Sequence, residues 1–114
     1  MPNLDQTVAQ TFVALADPTR RAVVQALSTG AATVSELAAP FPMALPSFTQ
    51  HLGVLEDAGL IVSRREGRSR VCTLNPAALK EAEDWIAGYR QEWESRMDRY
   101  AAHLANVTKG TPDD

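Results

Sequence analysis

Apolar positions recur along this chain in two rhythms, and the change between them divides it into elements. Leu4, Val8, Phe12 and Leu15 stand at helical spacing within residues 4–16, which predicts a first helix laying one stripe on a neighbour. Asp17 and Pro18 then restart the chain, Asp17 as N-cap and Pro18 at the first helical position, where its missing N–H costs nothing. The second helix runs to about Ser28, buries Val23, Val24 and Leu27, and stops at Gly30. Thr33 followed by Glu36 is a capping box for a short third helix through Leu37 and Ala38, which Pro40 and Pro42 prevent from continuing.

Leu45, Phe48, Leu52 and Leu55 define the buried face of a fourth helix. Its opposite face carries Pro46, Ser47, Gln50, Gly53 and Val54, with Thr49 and His51 on the flanks. That surface is small, uncharged and rich in hydrogen-bonding groups, as a helix entering a DNA major groove requires. Gly59 closes the helix, after which the rhythm shortens to that of strands. Leu60, Ile61 and Val62 begin a strand that turns around Glu66 and Gly67 and returns through Val71 to Leu74. Pro76 opens a last, long helix whose seam is Leu79, Ala82, Ile86, Tyr89, Trp93, Met97, Tyr100 and Leu104. The seam spans roughly 38 Å at ~1.5 Å per residue, more than so small a domain can cover, so a two-fold partner subunit is expected on it. The fold class expected is therefore mainly α with a small β-hairpin: helix-turn-helix, basic wing, and a closing helix for dimerisation. Residues 1–107 make one domain, and residues 108–114, which have no pattern, a disordered tail.

Composition sharpens this picture. A chain of 114 residues that is 45% hydrophobic supports one modest core. The net charge of -3 excludes binding to nucleic acid through bulk basicity, so a DNA site must come from clustering. Arg64, Arg65, Arg68 and Arg70 face only Glu66 between positions 64 and 70, whereas the last third is predominantly acidic. The single cysteine, Cys72, cannot form an intrachain disulfide, and no apolar run reaches membrane-spanning length, so a cytoplasmic protein is expected, with no membrane partner. No catalytic constellation and no glycine-rich phosphate loop stands out, and the expectation is a non-enzyme without a cofactor.

The stretches ALADPTRRAVVQAL, TVSELA and FTQHLGVLEDAGLIVSRREGRSRVCTL, with the helix from Trp85 to Trp93, resemble the ArsR/SmtB-type winged-helix repressors over residues 8–104. The resemblance implies the order helix–helix–helix–helix–strand–strand–helix and a homodimer on a double-stranded operator, joined by the first and last helices. Interface residues would be Leu4, Val8, Phe12, Trp85, Ile86, Tyr89, Trp93, Met97, Tyr100 and Leu104. Metal-sensing members carry a cysteine pair on the helix matching Ser35 to Ala39, or histidine and carboxylate ligands on the last helix. Here the former reads S-E-L-A-A and the latter offers His103 with scattered carboxylates, which resembles the metal-independent branch and implies no metal site. Relatives also commonly bear serine at the Ala44 position and basic residues at Gln50 and Gly53, so the wing must carry more of the attraction.

DNA-binding candidates are thus Pro46, Ser47, Thr49, Gln50 and His51 on the helix, Arg64, Arg65, Arg68 and Arg70 on the wing, and Arg20 at the start of the second helix. Two readings stand for His51, base contact or packing, and two for Arg20 and Arg21, phosphate contact or pairing with Asp17. Strand alternation puts Arg64 and Arg65 on opposite faces, so they cannot meet DNA in the same way. Cys72 reads as a small hydrophobe of the wing strand, with a redox role as the alternative. Two other functions stay open. One is a winged-helix protein-interaction module, suggested by the uncharged Gln50 and Gly53. The other is a sensor with a small-molecule pocket between subunits at Trp85, Tyr89, Trp93 and Tyr100, its effector unknown.

Overall fold

The structure, a computed structural model, describes residues 6–110. Its elements are α1 (Gln6–Leu15), α2 (Pro18–Leu27), β1 (Ala32–Thr33), α3 (Val34–Ala38), α4 (Leu45–Asp57), β2 (Ile61–Glu66), β3 (Ser69–Leu74) and α5 (Pro76–Gly110). The helical order and the wing are those expected, with one addition. β1 joins the far side of β3, so the sheet is three-stranded and antiparallel in the order β1-β3-β2, with Ala32 opposite Cys72 and Thr33 opposite Val71. Two residues are too few to show an alternating pattern, which is why sequence reading passes over β1.

Local chemistry fixes most element ends. Asp17 caps α2 by accepting the Arg20 backbone N–H at 3.1 Å. Thr33 and Glu36 close the capping box reciprocally, Glu36 N donating to Thr33 Oγ1 at 3.1 Å and Thr33 N to Glu36 Oε1 at 2.9 Å. α4 ends in a Schellman motif: Gly59 sits at φ +77°, its N–H donates to Glu56 O, and Leu60 N–H donates to Leu55 O. Leu55 and Leu60, which that motif brings together, are fully buried. The β2–β3 turn needs Gly67 at φ +61° and leaves Arg68 at the tip.

Phe48, Leu52 and Leu55 turn α4 onto a core that includes Val23 and Leu27 of α2, Leu37 of α3, Leu60, Ile61 and Cys72. Phe41, before α4, stacks on Phe48 with ring centroids 5.4 Å apart. Three expectations are corrected. On α1 the buried residues are Val8, Thr11 and Ala14, so Val8, expected at a subunit interface, is already covered within this chain. Thr11 hides its hydroxyl by donating to Thr7 O at 3.3 Å, which lets a polar residue occupy an apolar stripe. Leu45, assigned to the buried face of α4, is 57% exposed, because the first turn of α4 runs out past the end of the core. The third correction is at the C-terminus: α5 continues to Gly110, so the segment from Thr108, expected to lack structure, is helical as far as it is described. Leu4 lies outside the described residues.

Candidate nucleic-acid interface

α4 and the wing form one continuous surface. Pro46, Ser47, Thr49 and Gln50 are all exposed, while Gly53 and Val54 are half-buried further along. No hydrogen bond engages the side chains of Ser47 and Gln50 among the described residues, so the hydroxyl and both amide atoms remain open to a base edge. Thr49 differs: its hydroxyl donates to Leu45 O at 2.8 Å and keeps only its acceptor capacity and its methyl. Ala44 gives α4 no side-chain cap, so the leading turn has amides for an external acceptor, apart from Pro46, which has no N–H. From Leu45 to Asp57 the helix has no lysine or arginine.

Cationic charge sits instead on the wing, and its two faces differ. Arg64 donates from Nε and Nη2 to Glu66 Oε1 at 3.2 and 3.0 Å, forming an ion pair on one face. On the other face Arg65 is directly opposite Arg70. Like charges placed across a ladder repel. Arg70 is partly steadied, since Nη1 donates to Ser63 Oγ at 2.7 Å and Ser63 in turn donates to Glu56 of α4. Arg65 and Arg68 have no ion pair among the described residues. Between α4 and the wing lies a groove of about 470 Å³ lined by Val34, Thr49, Leu52, Gly53, Glu56, Arg70 and Cys72. Burial, and then the Glu56 carboxylate, push the Cys72 thiol up against the opposing effect of Arg70, which suppresses the thiolate and fits the small-hydrophobe reading.

Two candidates prove to be tied up inside the protein. Arg20 donates from Nε to Ala14 O at 2.7 Å, from Nη2 to Val13 O at 3.2 Å, and from Nη1 to His51 Nδ1 at 3.0 Å. A guanidinium can only donate, so Nδ1 is the acceptor and the imidazole proton is on Nε2. Arg21 adds a bond to Leu15 O at 2.9 Å. The two cations therefore complete the C-terminus of α1, where the helix dipole welcomes them, although they open α2, where it does not. Asp17 Oδ2 lies 3.8 Å from His51 Nδ1. Burial pushes the Asp17 carboxyl up, but the Arg20 backbone N–H, the Arg20 charge and the Thr19 backbone N–H prevail and hold it below the usual carboxylate range. Its contribution to stability is complete above the unfolded carboxylate range and disappears as pH falls through the lowered native value. Of the readings open for these residues, the bonds favour packing for His51 and an internal role for Arg20 over contact with DNA, since they join α4 to the α1–α2 corner. Asp17 was legible as a cap; its place in this junction depends on a contact between residues far apart in sequence.

α5 divides into two parts. Ala78 and Ala82 are buried, and Trp85 packs edge-on against Phe12 of α1 with centroids 5.8 Å apart and stacks on Tyr89. Beyond this, Ile86, Tyr89, Trp93, Met97, Tyr100 and Leu104 are all between 40% and 59% exposed, so the seam has no cover within the described residues. A concavity of about 390 Å³ lies on it between Trp85, Ile86, Tyr89, Arg90 and Trp93. Among the described residues no group of three or more histidine, cysteine or acidic side chains is placed to hold a metal ion, and no helix is long and apolar enough to cross a membrane.

Comparison with known proteins agrees with this geometry. Residues 15–64 match the family model described as a helix-turn-helix domain. The HTH-type transcriptional regulator Rv2034 of Mycobacterium tuberculosis is 43% identical over 93 residues, 75% of this chain and 87% of that protein. The transcriptional repressor SdpR of Bacillus subtilis is 32% identical over 78 residues, 68% of this chain and 87% of the relative. A crystal structure of an ArsR family transcriptional regulator, RHA00566, superposes with a TM-score of 0.76 at 49% identity, covering 78% of this chain and 98% of that one.

Proposed function

The chain belongs to the ArsR family of winged helix-turn-helix transcriptional regulators, and from that membership we propose that it acts as a metal-independent homodimeric repressor of a pseudo-palindromic operator. As a DNA-binding regulator it needs a polyanion contact, and one observation carries the reading of where: Arg65 and Arg70 are held directly opposite one another, with Arg68 at the tip, beside the uncharged face of α4. That repulsion is relieved when phosphate lies against the wing. α4 then enters the major groove by its leading turn, with Ser47 and Gln50 on base edges and Thr49 accepting from an exocyclic amine. The α5 seam meets its copy, which sets two α4 helices about 34 Å apart, one turn of duplex. The same contact covers the concavity at Trp85 and Trp93, which favours the dimer reading of those residues over a pocket for an effector.

Selection of bound sequences from a random DNA pool tests this. A two-fold consensus with half-sites ~10 base pairs apart supports it, and recovery of no consensus overturns it. Charge and base reading then separate by mutation. Arg68→Ala weakens operator and random DNA alike and lowers the log–log salt slope by ~0.9 for each bound subunit, whereas Gln50→Ala costs about 1–3 kcal/mol at one base position of each half-site and leaves the slope unchanged. Equal losses on both kinds of DNA for both variants would refute that division.

A gain is expected as well. A Cβ added at Gly53 meets nothing within 4 Å. Gly53→Lys therefore removes a helix-interior glycine, raising stability by roughly 0.5–1 kcal/mol in chemical denaturation. It also steepens the salt slope of binding by ~0.9 for each bound subunit through a new phosphate contact. An unchanged slope would place Gly53 away from the backbone of the duplex.

A further inference from the structure

Leu45 is the apolar residue of α4 that the helical pattern turns inward and the fold leaves in solvent, 57% exposed at the first position of the helix. Its surroundings are also uncharged. Ala44 precedes it, Pro46 follows, and Thr49, one turn on along the same flank of the helix, has its hydroxyl proton fixed on Leu45 O. The leading turn of α4 is thus an apolar tip beside the open polar groups of Ser47 and Gln50. Recognition helices meet base edges with their N-terminal residues. Thymine's C5-methyl is the apolar group that the four natural bases display in the major groove.

We propose that Leu45 is a specificity-determining residue that reads the C5-methyl of a thymine in each half-site. This rests on the operator-binding reading above and goes beyond it, since it assigns a base by apolar contact where the hydrogen-bonding candidates assign none. Continuity with Ser47 and Gln50 on one helix end argues for DNA as the cover, in preference to a protein partner. A helix with no cation of its own has shape and apolar contact left with which to discriminate.

The test uses the full chain and the operator recovered from the random pool. Each thymine of a half-site is replaced in turn by deoxyuridine, which lacks only the methyl. One such replacement is expected to lower affinity about fourfold, the worth of one buried methyl group. Leu45→Ala binds the thymine operator at least as many times more weakly and is indifferent to that same replacement. Because Leu45 is exposed, the variant keeps its fold, which an unchanged circular dichroism melt verifies. An operator without thymine in its half-sites, or a Leu45→Ala variant that retains the native sensitivity to deoxyuridine, overturns the assignment while leaving operator binding intact. Failure to recover any operator overturns the DNA reading itself, and this inference with it.

Discussion

Trp93→Glu should yield a monomer whose operator affinity is lower by roughly two to four orders of magnitude, while its winged-helix core stays folded and loses only the stability that association supplies. Trp93 is 54% exposed in the isolated chain and lies midway along the run from Ile86 to Leu104. Among the described residues that run stands clear of the core, because the ring contacts of α5 with α1 end at Trp85. Loss of the indole therefore takes little from the folded subunit. In a two-fold pair, however, each introduced carboxylate is buried against its own copy or a neighbouring aromatic, and an unpaired charge in such a place costs several kcal/mol. Two half-sites bound by linked subunits share one association cost, and separated subunits lose that advantage. Light scattering gives the mass, and titration of a labelled operator gives the affinity. A Trp93→Glu variant that stays dimeric, or binds the operator as tightly as the native chain, would move the interface elsewhere. An exposed surface pair on α5 such as Lys80 with Asp84 at 3.2 Å contributes little to either outcome.

How much of this was legible in the sequence depends on the range of the interaction. Signals decided within a few residues read true: Asp17 with Pro18, the Thr33–Glu36 box, Gly59 at the end of α4, and Gly67 in the wing turn. Each follows from backbone geometry or an orphan amide that a neighbour in the chain must satisfy. The face of α4 was read correctly where the core backs it, at Phe48, Leu52 and Leu55, and wrongly at Leu45, since periodicity says which side a residue is on and not how far the core extends. Thr11 was passed over on α1 for a related reason, as a threonine that returns its hydroxyl to its own helix packs like an apolar residue. β1 and the Arg20–His51 contact are pairings between distant segments and leave no local trace. The opposite faces of Arg64 and Arg65 were foreseen from alternation; that one meets Glu66 and the other Arg70 was not.

Arg20→Ala should destabilise the fold by about 2–4 kcal/mol, a fall of roughly 10–25 °C in melting temperature for a domain of this size. The substitution removes three charge-assisted hydrogen bonds at once, to Ala14 O, Val13 O and His51 Nδ1. The sum of three such bonds would be larger, but Val13 O is exposed and water replaces part of what is lost. Arg20→Lys recovers less than half, since one ammonium cannot serve Ala14 O from Nε while the fork reaches Val13 and His51. The effect on binding separates the two roles considered for this residue. As a clamp, Arg20 sets the angle of α4 against the α1–α2 corner, so well below the melting transition Arg20→Ala loses operator affinity while its binding to random DNA and its salt slope stay near native. His51→Gln, whose amide oxygen can accept from the same guanidinium, then retains most of the stability that His51→Ala loses. As a phosphate ligand, Arg20 would give the reverse: a native melt, equal losses on all sequences, and a salt slope reduced by ~0.9 for each bound subunit. Denaturant unfolding beside two-salt titrations on operator and random DNA distinguishes these outcomes, and the bonds that occupy Nε, Nη1 and Nη2 favour the first.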